Sequence, residues 1–301
     1  VKRGRSYFAL QGATGLLWGL AVFLSPSVRQ ATLGSLPPVA VALFDVPLFI
    51  VGSFLAAMGL RPAVWAVLGW TFLSTGALFV YATVAREAAG GMLLRVAACA
   101  GTAVATSLTV LGRVPTEWVL WGPFTFRTTS DTSRGGHLAR TLRQLVAFWV
   151  FFLAVLPAVV VVLERRWRLD VPFPPALRMA GGGMFLLASA LGLWSAYAMA
   201  TVGEGTPLPS TMARRLVIVG PYRHVRNPMA VAGIGQSIAV GLVLSSWLVI
   251  LYGLVGSMIW NWGVRPHEEA DLAARFGDEF REYQRRVSCW VPRRRASSPQ
   301  E

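Results

Sequence analysis

A chain of 301 residues that is 54% hydrophobic and 14% charged, with a mean hydropathy of +0.54, excludes an ordinary soluble domain. Its charges cluster between long apolar runs, the pattern of a polytopic membrane protein. The formal net charge of +14 would suggest nucleic acid in a soluble protein; here all basic residues except Lys2 are arginines, mostly beside apolar runs, so topology accounts for them and no nucleic-acid partner is expected. Cys99 and Cys289 form no spacing that implies a disulfide framework or a zinc site, and no metal is expected.

Crossing about 30 Å of hydrocarbon at a rise of about 1.5 Å per residue takes roughly 18 or more apolar residues. Runs of that kind occur near 7–24, 39–60, 63–85, 92–111, 142–163 and 176–200. Two shorter runs, 229–244 and 247–264, are separated by Ser245-Ser246 and form a hairpin with arms of about 24 and 27 Å. The first run follows Lys2, Arg3 and Arg5 as a signal peptide would, but no small-x-small site follows it and it is expected to be retained.

The first four spans carry mostly small and aliphatic residues, with Asp45 as their lone acid. An ionisable group within a span is a functional candidate, although Asp45 is expected near an interface beside Pro47. The linker that follows holds Trp118, Trp121, Phe124 and Phe126, then a Thr/Ser/Gly-rich stretch with His137. An interfacial lid is one reading of it, and an aromatic belt with a flexible linker is the commoner case. In the sixth span Ala188, Gly192, Ala196 and Ala200 recur every four residues, which predicts close helix packing.

With the N-terminus cytoplasmic and eight spans, most basic residues fall on the cytoplasmic side, while the loop 164–170, ERRWRLD, runs against that bias. The expected fold is therefore all-α, a polytopic transmembrane helical bundle of about eight spans. It divides into a four-span module at 1–111, a loop at 112–141 and a membrane core at 142–301.

Two polar patches stand at the ends of the hairpin. In the first, Gly203 and Gly205 flank Glu204, and glycines let a ligand approach the main chain. The stretch 220–228, GPYRHVRNP, then packs Tyr222, Arg223, His224, Arg226 and Asn227 against the start of a span. Arginine suits a carboxylate through paired hydrogen bonds, and Tyr or His can stack on a heterocycle. A positive-inside anchor explains Arg223 and Arg226 but not the turns around them. The second patch holds Trp260, Asn261, Arg265, His267, Glu268 and Glu269. Two adjacent carboxylates beside a bilayer are costly unless hydrated or paired, with Arg265, Arg223 and Arg226 on offer. They read either as a salt-bridge cluster or as a ligand for hydroxyls or an ammonium. Leu272, Phe276, Phe280, Tyr283 and Val287 follow at helical spacing and predict an amphipathic helix able to cap the site.

In this order and spacing, GEGTPLP, LVIVGPYRHVRNPM, the apolar hairpin, RPHEEADL, RFGDEFREYQRRV and WVPR resemble the bacterial relatives of isoprenylcysteine carboxyl methyltransferase, within a group that includes phospholipid N-methyltransferases. The resemblance covers about the last hundred residues. It implies S-adenosylmethionine as cofactor, held in a cytoplasmic pocket under the C-terminal segment, and a lipid-like or prenylated acceptor entering from the bilayer. Gly203 and Gly205 match a Gly-x-Gly cofactor motif, Glu268-Glu269 a paired-glutamate motif, and Tyr222, Arg223, His224, Arg226, Asn227 and Pro228 the family's Arg-His/Asn-Pro region. Ala230 stands where relatives often carry Tyr.

Cofactor contacts are thus expected from Gly203, Gly205, Tyr222, His224, Arg226, Asn227, Pro228, Glu268 and Glu269. Arg223, Arg265, Trp260 and Asn261 are expected to bind substrate, and Arg223, His224 and His267 to serve catalysis. The resemblance implies an integral protein of the bacterial inner membrane with cytoplasmic termini. A nicotinamide-dependent reductase of the sterol reductase type and a non-enzymatic transporter or assembly factor are the rival readings.

Overall fold

The computed structural model describes residues 1–120, 134–203 and 214–292. Among them every regular element is helical, and each of the eight expected spans coincides with a helix. Seven helices are long and apolar enough to cross a membrane, and the other, Pro228–Leu244, has 17 residues. Many of their leucines and valines face outward: Leu17, Leu186, Leu187 and Val162 are all well exposed, as lipid-facing residues must be. The chain divides into two compact units, one of residues 1–115 with 163–169, the other of 116–162 with 170 to the end.

The first unit contains α1 (Lys2–Leu24), α2 (Pro26–Leu33), α3 (Pro38–Asp45), α4 (Gly52–Met58), α5 (Arg61–Ala85) and α6 (Ala89–Val110). Phe8 of α1 is fully buried among Ala56, Val64, Val67 and Ala105. Gly4 lets α1 approach α6 closely, since a Cβ there would lie 2.6 Å from the Ala105 carbonyl oxygen. Gln11 joins three helices of this unit, donating to Ser53 Oγ at 3.1 Å and accepting from Thr102 Oγ1 at 2.8 Å.

Asp45 is buried, ion-paired with Arg95 and accepting from Trp70 Nε1 at 2.7 Å, while the Arg95 guanidinium stands 4.8 Å over Phe49. Immediately after it, Val46–Val51 form a π-helical stretch around Pro47, whose missing N–H leaves the regular ladder incomplete.

The second unit contains α7 (Arg134–Phe148), α8 (Leu156–Arg166, up to Val162), α9 (Pro175–Thr201), α10 (Pro228–Leu244), α11 (Trp247–Ile259) and α12 (Arg265–Arg286). α7 begins well before the expected span, because Leu138, Leu142 and Leu145 already follow helical spacing. Trp118 of the linker lies in a short 3₁₀ turn, Thr116–Leu120, whereas Trp121, Phe124 and Phe126 lie outside the described residues.

α9 and α10 pack through small residues. A Cβ on Gly192 would meet Ala232 at 3.4 Å, one on Gly235 would meet Ala188 at 3.3 Å, and one on Gly181 would fall 2.7 Å from Leu242 Cβ. Ser245 turns the hairpin in the left-handed region, and the Ser246 side chain caps α11 by accepting from Val249 N at 3.1 Å. α11 continues through a π-helical stretch, Trp260–Val264, into α12. The apolar run ends at Val264, and the charged α12 lies beyond it. Gly277 breaks the regularity of α12 with φ 54° and ψ −126°, a backbone conformation that glycine adopts at least cost.

Candidate active site

The hairpin arms, 17 residues in α10 and 18 in α11 with its π-helical extension, are about 25 and 27 Å long. Their equal length brings the start of α10 level with the start of α12. Asn227 caps α10, its side-chain oxygen accepting from Ala230 N at 3.1 Å, with Pro228 in the first turn where a missing N–H costs nothing. The same side chain turns its amide to Glu268, donating from Nδ2 to Oε2 at 3.3 Å.

Next to it, Arg226 Nη2 donates to Glu269 Oε1 at 2.8 Å. Arg226 Nη1 donates to the carbonyl oxygens of Val287 at 2.8 Å and Gln284 at 3.4 Å, and its backbone N–H to that of Ser288 at 2.9 Å. Gln284 Nε2 donates to the other Glu269 oxygen at 3.2 Å. A parallel bridge between Val225 and Ser288 runs alongside. The paired glutamates and the Arg226-Asn227-Pro228 turn, 41 and 43 residues apart in sequence, are therefore one hydrogen-bonded cluster.

Tyr222 sits in a 3₁₀ turn, Gly220–Arg223, that Gly220 enters with φ 57°. The ring is buried against Ala198 and Val217, and its carbonyl oxygen accepts from Tyr283 Oη at 2.7 Å. Burial, and then the nearby Glu268 charge, push the Tyr222 hydroxyl well above its ordinary range, so it stays protonated. Burial raises Tyr283 likewise. Glu268 is half-buried; desolvation first, and then the Glu269 charge, push its carboxyl up to about 7 against the lowering effect of Asn227.

The other expected residues are distributed around this cluster. His267 Nε2 is hydrogen-bonded with Thr116 Oγ1 at 2.9 Å. Asn261 Oδ1 accepts from Trp290 Nε1 at 3.1 Å, and the Trp260 ring meets Trp290 edge-on at 5.2 Å, so both residues hold the C-terminal segment. Arg265 Nε is buried with no hydrogen-bond partner among the described residues. Arg223 and His224 are exposed. Gly203 is buried, its carbonyl oxygen accepting from Arg214 N at 2.8 Å, and Gly205 lies outside the described residues.

Sequence reasoning missed Thr116 and Gln284. Thr116 lies 151 positions from its partner, and no local pattern marks it. Gln284 lies 15 positions from Glu269, about 22 Å along a straight helix, and the two meet because α12 is kinked at Gly277, which the apolar spacing does not mark. Among the comparisons with known proteins, residues 177–279 match the family model described as phospholipid methyltransferase. No curated protein matches the chain.

Proposed function

From the match of residues 177–279 to the phospholipid methyltransferase family, together with the seven apolar helices, we propose that the chain is an integral membrane methyltransferase that transfers methyl groups from S-adenosylmethionine to a lipid-like, membrane-partitioned acceptor, with carboxylate O-methylation favoured. The observation that carries this reading is the joining of Arg226 and Asn227 to Glu269 and Glu268 inside the matched segment. The arginine distribution supports a bacterial inner-membrane location with both termini and both polar patches cytoplasmic. In this reading residues 1–111 are a separate four-span module.

The residues present fit the cofactor. Glu268 is a half-buried carboxylate with one hydrogen bond, from an uncharged amide, and suits a cationic ligand. Tyr222 adds an aromatic face, Pro228 and Gly203 are buried beside the turn and the end of α9, and Arg226 and Glu269 fix the cluster. S-adenosylmethionine supplies an activated methyl group, open to in-line displacement by the acceptor. The protein's contribution is to hold and orient both reactants and to exclude water. Arg265, with a buried donor to spare, and the exposed Arg223 suit the anionic end of an acceptor. A carboxylate acceptor is already ionised at neutral pH and needs no base. An amine must give up a proton, for which His267, held by Thr116, and His224 are the available groups.

Calorimetric titration of detergent-purified protein with S-adenosylmethionine and with NADPH tests the reading, with Glu268→Gln as control. Binding of S-adenosylmethionine that the substitution weakens by roughly tenfold or more is expected. Binding of NADPH alone would replace the transferase by a reductase, and binding of neither would point to a non-catalytic role.

A further inference from the structure

The two glutamates are adjacent in sequence but not alike in surroundings. Both Glu269 oxygens are engaged, one by the Arg226 guanidinium and one by the Gln284 amide, and the same guanidinium reaches the carbonyls of Gln284 and Val287. Arg226 N–H and Tyr283 Oη add bonds between the turn and the far end of α12, and Trp290 closes on Trp260 and Asn261. Among the described residues Glu268 has a single bond, from Asn227.

We infer that the pair divides its work: Glu269 with Arg226 and Gln284 forms a clasp that holds residues 283–290 against the turn at 222–227, and Glu268 alone meets the cationic groups of the cofactor. The inference rests on the cofactor reading above for the part played by Glu268, but not for the clasp. Arg226, Glu269 and Gln284 are in this view positioning residues.

Hydrogen–deuterium exchange of the full chain in lipid nanodiscs, without ligand, reads the clasp directly. Glu269→Gln and Gln284→Ala are expected to speed exchange at 283–290 by roughly tenfold, the loss of one hydrogen bond to a charged group, and Glu268→Gln to leave it unchanged. The pH dependence of S-adenosylmethionine affinity reads the other half. Glu268 faces Tyr222 and Asn227 on the turn, and feels the charges of Glu269 and Asp271 along its own helix. Removing the Glu269 charge should lower the midpoint of that dependence, Gln284→Ala should not move it, and Glu268→Gln should abolish it.

Unchanged exchange in both clasp variants, or equal loosening by Glu268→Gln, would overturn the division. So would a midpoint that survives Glu268→Gln. If the unsubstituted protein binds no S-adenosylmethionine, the cofactor reading and the part of Glu268 fall together, and the exchange data still decide the clasp.

Discussion

Glu268 ties the chemistry of the cluster to pH. A carboxyl that titrates at about 7 when folded and about 4.5 when unfolded favours folding in its protonated form. Its contribution is fully present below about pH 4.5 and is lost as the pH rises through about 7. Each unit of displaced titration is about 1.4 kcal/mol, so the loss over that window is at most a few kcal/mol. Glu268→Gln should therefore flatten the decline of chemical-denaturation stability between pH 5 and 7. Ligand binding runs the other way: affinity for a cation should rise over the same window, with protons released to buffer in calorimetry below pH 7. The neighbouring Asn227 serves both Ala230 N and Glu268. Asn227→Ala should cost about 1 kcal/mol from the lost helix cap, seen in thermal unfolding, and should also weaken cofactor binding. Asn227→Asp should keep the cap and still lose the binding, because a third carboxylate would face the pair.

At the scale of elements, close helix contacts rest on single glycines. Gly181→Ala would set a Cβ 2.7 Å from Leu242 Cβ and 3.1 Å from the Ala239 carbonyl oxygen, forcing α9 and α10 apart. A loss of about 1–3 kcal/mol is expected in thermal unfolding. Gly182 has open space at the same position, so Gly182→Ala should be neutral or slightly stabilising. The spans, the hairpin and the stripe of α12 were legible in the sequence because each is a periodic apolar pattern. The pairing of Asn227 with Glu268 was half legible: polar residues at both ends of a hairpin with equal arms must meet. The start of α7 was harder to see because Leu138 is the one large apolar residue in its first two turns. The roles of Trp260 and Asn261 were hidden because Trp290 lies about 30 residues further on.

Taken whole, the molecule keeps most of its ionisable groups outside its spans, and among the described residues one acid within a span is paired with an arginine on another. Asp45 and Arg95 lie 50 positions apart and are paired inside the first unit. Counting acids in each span separately makes Asp45 look solitary; its partner is on another helix, and the π-helical stretch after it shifts the register by which a regular helix would be read. Removing one member leaves the other charge buried, at a cost of about 3–5 kcal/mol. Asp45→Ala and Arg95→Ala should each lower the unfolding midpoint in detergent sharply, and the double substitution Asp45→Leu with Arg95→Met should recover most of the loss.

The π-helical stretch at Trp260–Val264 bears on how a motif of this kind is to be recognised. Such a stretch accommodates an extra residue within an otherwise regular helix, and one residue is about 100° of rotation. Wound into regular α-helix with the same residues, the stretch would leave every letter of the glutamate motif intact, yet swing both carboxylates about a quarter-turn away from Arg226 and Asn227. What the hairpin transmits to the site is thus an angular phase. Two chains identical in their motifs but differing by one residue in the preceding helix would present the pair alike only where a stretch of this kind absorbs the difference.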